Sequence, residues 1–150
     1  AKGLAYALDI PLIGINTLKL MATSVMFREP VDDDTMFAPM IDARRMEVYT
    51  AVYDLGLNEL MAPTPLILDE TSYGDFLARG KVMFFGNGSD KARSVITSPE
   101  AIFISDIKPI AVDMLALADV AWANKDFIDT AYATPLYLKE FQATKPKKLF

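Results

Sequence analysis

An α/β fold, a mixed sheet flanked by helices in one main domain, is what this sequence predicts, and three patterns predict it. First, Met36-Phe37-Ala38-Pro39-Met40-Ile41 is an apolar run, followed after a charged stretch by Val48, Thr50 and Val52 alternating with Glu47, Tyr49 and Tyr53. A buried strand that turns and returns as a hairpin has that pattern. Second, Lys81-Val82-Met83-Phe84-Phe85 is a nearly continuous apolar run, which suits an interior strand covered on both faces. Third, Leu18, Met21, Ala22, Val25 and Met26, and later Ile110, Met114, Leu117, Val120 and Ala121, recur at three- and four-residue intervals. That is the spacing of helices with one apolar stripe. With 150 residues, 52% of them hydrophobic and 23% charged, the chain can build one real core.

In chain order, residues 1–8 have helical spacing but no Ser, Thr, Asp or Asn ahead of them as a cap. With no initiator methionine either, we read 1–10 as the remnant of a helix from a preceding segment, its Leu4 and Leu8 left as an apolar patch open to self-association. Pro11 stops helical propagation, and Leu12-Ile13-Gly14-Ile15 reads as a short buried strand. Asn16 or Thr17 caps the next helix, which ends before Pro30. Asp32, Asp33 and Asp34 lack the alternation and glycine turn of a calcium loop and read as a solvated loop.

After the hairpin, Asp54 to Glu59 forms a second turn into a third strand at Leu60-Met61-Ala62, ended by Pro63 and Pro65. Asp69 caps a helix through Tyr73, Phe76 and Leu77 that stops at Gly80. Gly86-Asn87-Gly88-Ser89 opens another helix after the interior strand, and Ala101-Ile102-Phe103-Ile104 supplies a further short strand. Pro109 sits where a first-turn proline is tolerated, ahead of a long helix that Trp122 anchors at its end. Pro135 breaks helix, and the closing segment is less regular. The eight methionines are scattered over strands and helix faces, a core-filling pattern.

Composition excludes much chemistry. There is no cysteine and no histidine, so this chain holds no disulfide, no thiol nucleophile and no Ser-His or Cys-His pair, and no His-based zinc site. Catalysis here would rest on carboxylates, lysine, hydroxyls or backbone. Fifteen basic against twenty acidic residues give a net charge of -5, which opposes unaided binding to a nucleic-acid backbone. The one basic cluster, Lys145-Pro146-Lys147-Lys148, reads as a solvated tail. No apolar run reaches the roughly 20 residues of a membrane helix, so the expectation is a cytoplasmic protein without membrane contact.

Two groups of residues stand out as ligand- or partner-binding candidates. Asp42, Arg44 and Arg45 at the hairpin turn place a carboxylate and guanidinium donors together, suiting a phosphate or a partner's carboxylate. Because nothing in the spacing demands a substrate, a turn-locking network, with Glu47 pairing an arginine across the hairpin, is the reading preferred. Gly86, Asn87 and Gly88 lie where a strand feeds a glycine turn and a helix start, a place that presents free N–H groups to an anion. They match neither a P-loop nor a dinucleotide fingerprint, and the reading preferred for the glycines is the left-handed turn that a strand-to-helix reversal requires.

These residues carry a resemblance. Ile41-Asp42-Ala43-Arg44-Arg45-Met46-Glu47-Val48-Tyr49, the opening Ala1 to Gly14, Phe85-Gly86-Asn87-Gly88 and Pro135-Leu136-Tyr137-Leu138-Lys139 resemble the TsaB (YeaZ) family, and the resemblance covers nearly the whole chain. It implies a ribonuclease-H-like lobe of the actin, Hsp70 and sugar-kinase superfamily, residues 1–150 being the C-terminal lobe and 1–10 a helix remnant of an N-terminal one. It also implies a non-catalytic scaffold that works with a TsaD-type catalytic paralogue and a TsaE-type ATPase. Together they attach threonylcarbamoyl to the adenosine beside the anticodon of tRNA, which this chain would meet only through the complex. The family's main contact with the catalytic paralogue lies in the other lobe. The resemblance implies no metal and no cofactor held by this chain, ATP or ADP being admitted in the complex. An older glycoprotease label attaches to the family. A kinase-like phosphoryl transferase, with Asp42 as base or metal ligand and Gly86 to Gly88 as nucleotide loop, stays open as the alternative. So does a module that binds nucleotide without turnover.

Overall fold

The computed structural model describes residues 1–139. Five strands form one mixed sheet: β1 (Met36–Asp42), β2 (Glu47–Tyr53), β3 (Glu59–Ile67), β4 (Val82–Phe85) and β5 (Ala101–Ile104), in the spatial order β3-β2-β1-β4-β5. The first three make an antiparallel meander, and β4 and β5 add parallel to β1. Period-two alternation sends side chains to two separate cores. Met36, Ala38, Met40, Val48, Val52, Val82 and Phe84 face one side, beneath Tyr73, Ala92 and Ile96. Phe37, Ala51, Tyr53, Met83 and Phe85 face the other, against Leu18, Met21, Ala22 and Val25.

The second core is covered by α2 (Thr17–Arg28). Asn16 caps it as expected, its Oδ1 accepting the N–H groups of Leu18 at 2.8 Å and Lys19 at 3.4 Å. Burial extends beyond the anticipated stripe, because Leu20, Thr23 and Ser24 are also buried. The 3-10 turn Ala111–Asp113 lies against a further side of α2, joined by Arg28, which donates to Asp113 at 2.7 Å and to Ser24 Oγ at 2.6 Å. Thr23 satisfies its hydroxyl on the Lys19 carbonyl.

Several expectations need correction. Residues 12–15 form no strand; Leu12 makes an isolated antiparallel bridge to Ile128. Pro63 and Pro65 do not end β3, which runs through both. They are tolerated because β3 is an edge strand, where a missing N–H on the outer side costs nothing. Tyr53, grouped by alternation with outward positions, is fully buried because both faces of the sheet are covered. Asp69 does not cap a long helix: its carboxylate gathers Thr71 and Ser72 into a turn, and only the short α3 (Gly74–Leu77) follows. The last helix, α5 (Met114–Ala123), contains no buried residue, and within the expected stripe Ile110 and Val120 are exposed. Trp122 anchors nothing in the core and packs edge-on against Phe127 at 5.4 Å.

Other readings agree with the fold. α1 (Lys2–Leu8) has no side-chain cap, and Leu4 and Leu8 are exposed. Met21, Met36, Met40 and Met83 fill the cores. Asp32 of the aspartate loop pairs with Lys81. The basic cluster at 145–148 lies outside the described residues.

Candidate functional site

The two candidate groups, more than 40 residues apart in sequence, meet at one end of the sheet. β1 and β4 run parallel, so their C-terminal ends lie side by side. The hairpin turn follows one and the Gly86-Asn87-Gly88 loop the other. Asn87 Oδ1 accepts the Asp42 backbone N–H at 2.9 Å, and Gly88 N–H donates to the Met40 carbonyl at 3.1 Å. The loop is thereby sewn to the end of β1.

The glycines explain how closely it is sewn. Gly86 holds φ at +95°, and a Cβ there would stand 2.4 Å from both the Met40 carbonyl oxygen and Met21 Cε. A Cβ on Gly88 would stand 2.9 Å from Val48 Cγ1 and 3.1 Å from Asp42 N. Both positions therefore require glycine for close approach, Gly86 also for its left-handed backbone. Ser89 spends its N–H and its hydroxyl on the Gly86 carbonyl. The helix that follows, α4 (Ser89–Ala92), is a single turn.

Lys91, which the sequence did not single out, locks the turn from below. Its ammonium donates to Asp42 Oδ1, to the Arg45 carbonyl at 2.8 Å and to the Glu47 carbonyl. Three acceptors converging on one lysine satisfy its three donors. Asp42 also accepts the Arg44 N–H at 2.8 Å. Hydrogen bonding from Lys91, then from the Arg44 backbone, holds the Asp42 carboxyl below its ordinary range. No spacing rule links Lys91 to Asp42; only the parallel pairing of β1 and β4 brings them together.

Arg44 and Arg45 are exposed, with φ of 73° and 48°. Left-handed backbone at a non-glycine residue costs of order 1 kcal/mol or more. Neither arginine pairs with Glu47 as the hairpin reading had it; Glu47 pairs with Lys139 at 2.6 Å. Among the described residues neither guanidinium has a carboxylate within ion-pair distance.

Beside the joint runs a groove of about 400 Å³ between Asn16, Thr17 and Leu18, the hairpin residues Ile41 and Tyr49, and the segment 135–139. That segment is held by the Lys139–Glu47 pair at one end, and Lys2 Nζ donates to the carbonyls of Ala131 and Ala133 near the other. The sequence carried no sign of the groove, since its walls come from three distant stretches.

With this geometry in hand, comparison with known proteins gives consistent results. A family described as TsaD, tRNA N6-adenosine threonylcarbamoyltransferase, matches residues 1–145. The tRNA threonylcarbamoyladenosine biosynthesis protein TsaB of Escherichia coli (strain K12) is 28% identical over 152 residues, a match covering 97% of this chain and 64% of that protein. A crystal structure from Pseudomonas aeruginosa, described as an uncharacterized protein similar to peptidase YEAZ, superposes with TM-score 0.78 at 26% identity. It covers 92% of this chain and 63% of the other. YeaZ from the same organism gives TM-score 0.69 at 26% identity, over 91% and 64%. The chain thus spans just under two thirds of the length of these relatives.

Proposed function

We propose, from the premise that this chain belongs to the TsaD family and to its TsaB/YeaZ branch, that it is the C-terminal lobe of a non-catalytic scaffold in threonylcarbamoyladenosine modification of tRNA. Residues 1–10 then belong to the helix that connects the lobes. In this reading a TsaD-type paralogue carries out the transfer, a TsaE-type ATPase serves the cycle, and tRNA is met through the complex. The compartment is the cytoplasm. No helix among the described residues is long and apolar enough to cross a membrane.

The observation that carries the non-catalytic reading is the state of Asp42. It is the carboxylate a phosphoryl transferase of this superfamily would use at this site, and its Oδ1 is taken by both Lys91 and the Arg44 N–H. In the neighbouring loop the Gly88 and Ser89 N–H groups go to the Met40 and Gly86 carbonyls rather than to a phosphate. A peptidase reading finds no support in the residues: histidine and cysteine are absent, and the Ser89 hydroxyl donates to the Gly86 carbonyl.

The test is light scattering after size exclusion, on this chain and on a version extended to the relatives' length, each alone and mixed with a TsaD-type partner. A heterocomplex formed by the longer protein supports the scaffold reading. This lobe alone should bind more weakly, and the same traces report self-association through the exposed α1 side chains. ATP turnover by the longer protein, lost in Asp42→Asn, would replace the scaffold with a phosphoryl transferase.

A further inference from the structure

We infer that Arg44 and Arg45 are a preset pair of guanidinium contacts for carboxylates on a partner protein, and that Asp42, Gly86, Asn87, Gly88 and Lys91 are the lock that holds them in place. The inference rests on the scaffold reading for the existence of a protein partner, but its geometry comes from this chain alone.

The division of labour follows from where each polar group is spent. Asn87 is engaged by the Asp42 N–H, Gly88 by Met40, and Asp42 by Lys91 and Arg44 N–H. The Asp42 carboxylate, the Asn87 amide oxygen and the Lys91 ammonium are each engaged within the joint. The arginines are the reverse: both are exposed, and the turn beneath them is fixed by bonds to their backbone, the Arg45 carbonyl to Lys91 and the Arg44 N–H to Asp42. Their guanidiniums stay unspent among the described residues while their Cα positions are set. Asp42 is paired with Lys91 and Glu47 with Lys139, so among the described residues neither arginine closes an ion pair, and the Arg44 guanidinium interacts with Asp42 only through their charges, on a chain of net charge -5.

That charge distribution selects the partner. A nucleic acid is held by many phosphate contacts at once, and two arginines would release only about two counterions on binding. The remaining acidic surface would repel the rest of the strand. A protein carboxylate needs one guanidinium apiece, in the planar two-point geometry that arginine supplies and lysine does not. Rigid placement lowers the ordering cost of such a contact.

Two experiments test this on the full chain. In the first, the arginine Nε–Hε resonances are followed by NMR during titration with a glutamate octapeptide and, separately, with an anticodon stem-loop RNA. Saturable peptide shifts at Arg44 and Arg45 are expected, and peptide binding read from the backbone amides of the same turn should be abolished in the Arg44→Ala/Arg45→Ala variant and weakened in Arg44→Lys/Arg45→Lys. Absence of shifts, equal shifts at Arg28, Arg79 and Arg93, or RNA acting at lower concentration than the peptide would overturn the inference. In the second, the extended protein is mixed with the TsaD-type partner, and Arg44→Glu/Arg45→Glu should weaken association at least tenfold and flatten its salt dependence. Unchanged association would overturn the inference and leave the scaffold standing. Peptide shifts without any heterocomplex would do the opposite.

Discussion

α2 and α5 carry apolar side chains at the same helical spacing, yet Val25 of α2 is fully buried while Val120 of α5 is 60% exposed. α2 lies on the sheet with Leu18, Met21, Ala22 and Val25 in the core. α5 keeps Leu115, Val120 and Trp122 in solvent and approaches the body mainly through the 3-10 turn and the Arg28–Asp113 pair. Periodicity states which side of a helix is apolar, and it does not state whether anything is there to receive it. Stability should therefore be concentrated in the sheet, its two cores and the joint, with little of it in α5.

The largest effect is expected where α2 meets the sheet. Met21→Ala should cost about 2–5 kcal/mol in denaturant unfolding, from lost burial and the cavity left behind; a cost under 1 kcal/mol would break the contrast with α5. Gly86→Ala attacks the same junction from the loop side, combining left-handed strain with a clash on Met21 and the Met40 carbonyl. It should cost about 2–3 kcal/mol, read from the urea midpoint at unchanged slope. Asn16→Ala removes the α2 cap and should cost about 1 kcal/mol, with Asn16→Asp recovering most of it.

A smaller effect separates the halves by pH. Asp42 is held below its ordinary pKa by Lys91, Asp54 by Asn58 and Asp69 by Thr71, all in turns attached to the sheet. A carboxylate with a depressed folded pKa adds stability above its unfolded value, about 3.9, and loses it as pH falls through the folded value. Thermal midpoints should drop on acidification below about pH 4, and less steeply in Asp42→Asn. The smallest effect belongs to α5, where Leu115→Ala should change stability by less than about 0.5 kcal/mol.

The elements were largely legible where the signal was local. The strand at β2, the apolar run of β4 and the Asn16 cap stand in the structure as the residues suggested, although β2 alternates only over its first half and is buried throughout from Thr50 to Tyr53. What misled were rules that hold only in the middle of things. Pro63 and Pro65 signal a strand end that β3, at the sheet edge, does not make, and the stripe of α5 would be a core face only if another layer covered it. At the candidate site the glycines, Asn87 and the hairpin residues were visible, because tight turns and charge stand out in sequence. Their meeting was not visible, and neither was Lys91, because both depend on a parallel strand pairing across more than 40 residues.

The prolines of β3 have a consequence for how this molecule can meet others. An outer strand normally offers a row of backbone donors on which a foreign strand can template itself, the usual first step toward sheet extension and fibrous aggregation. With Pro63 and Pro65 two residues apart in β3, that row is interrupted, and at the opposite margin β5 offers only four residues. Both margins are thus poor templates for strand addition, which leaves the side chains on turns and helices as the better surfaces for contact.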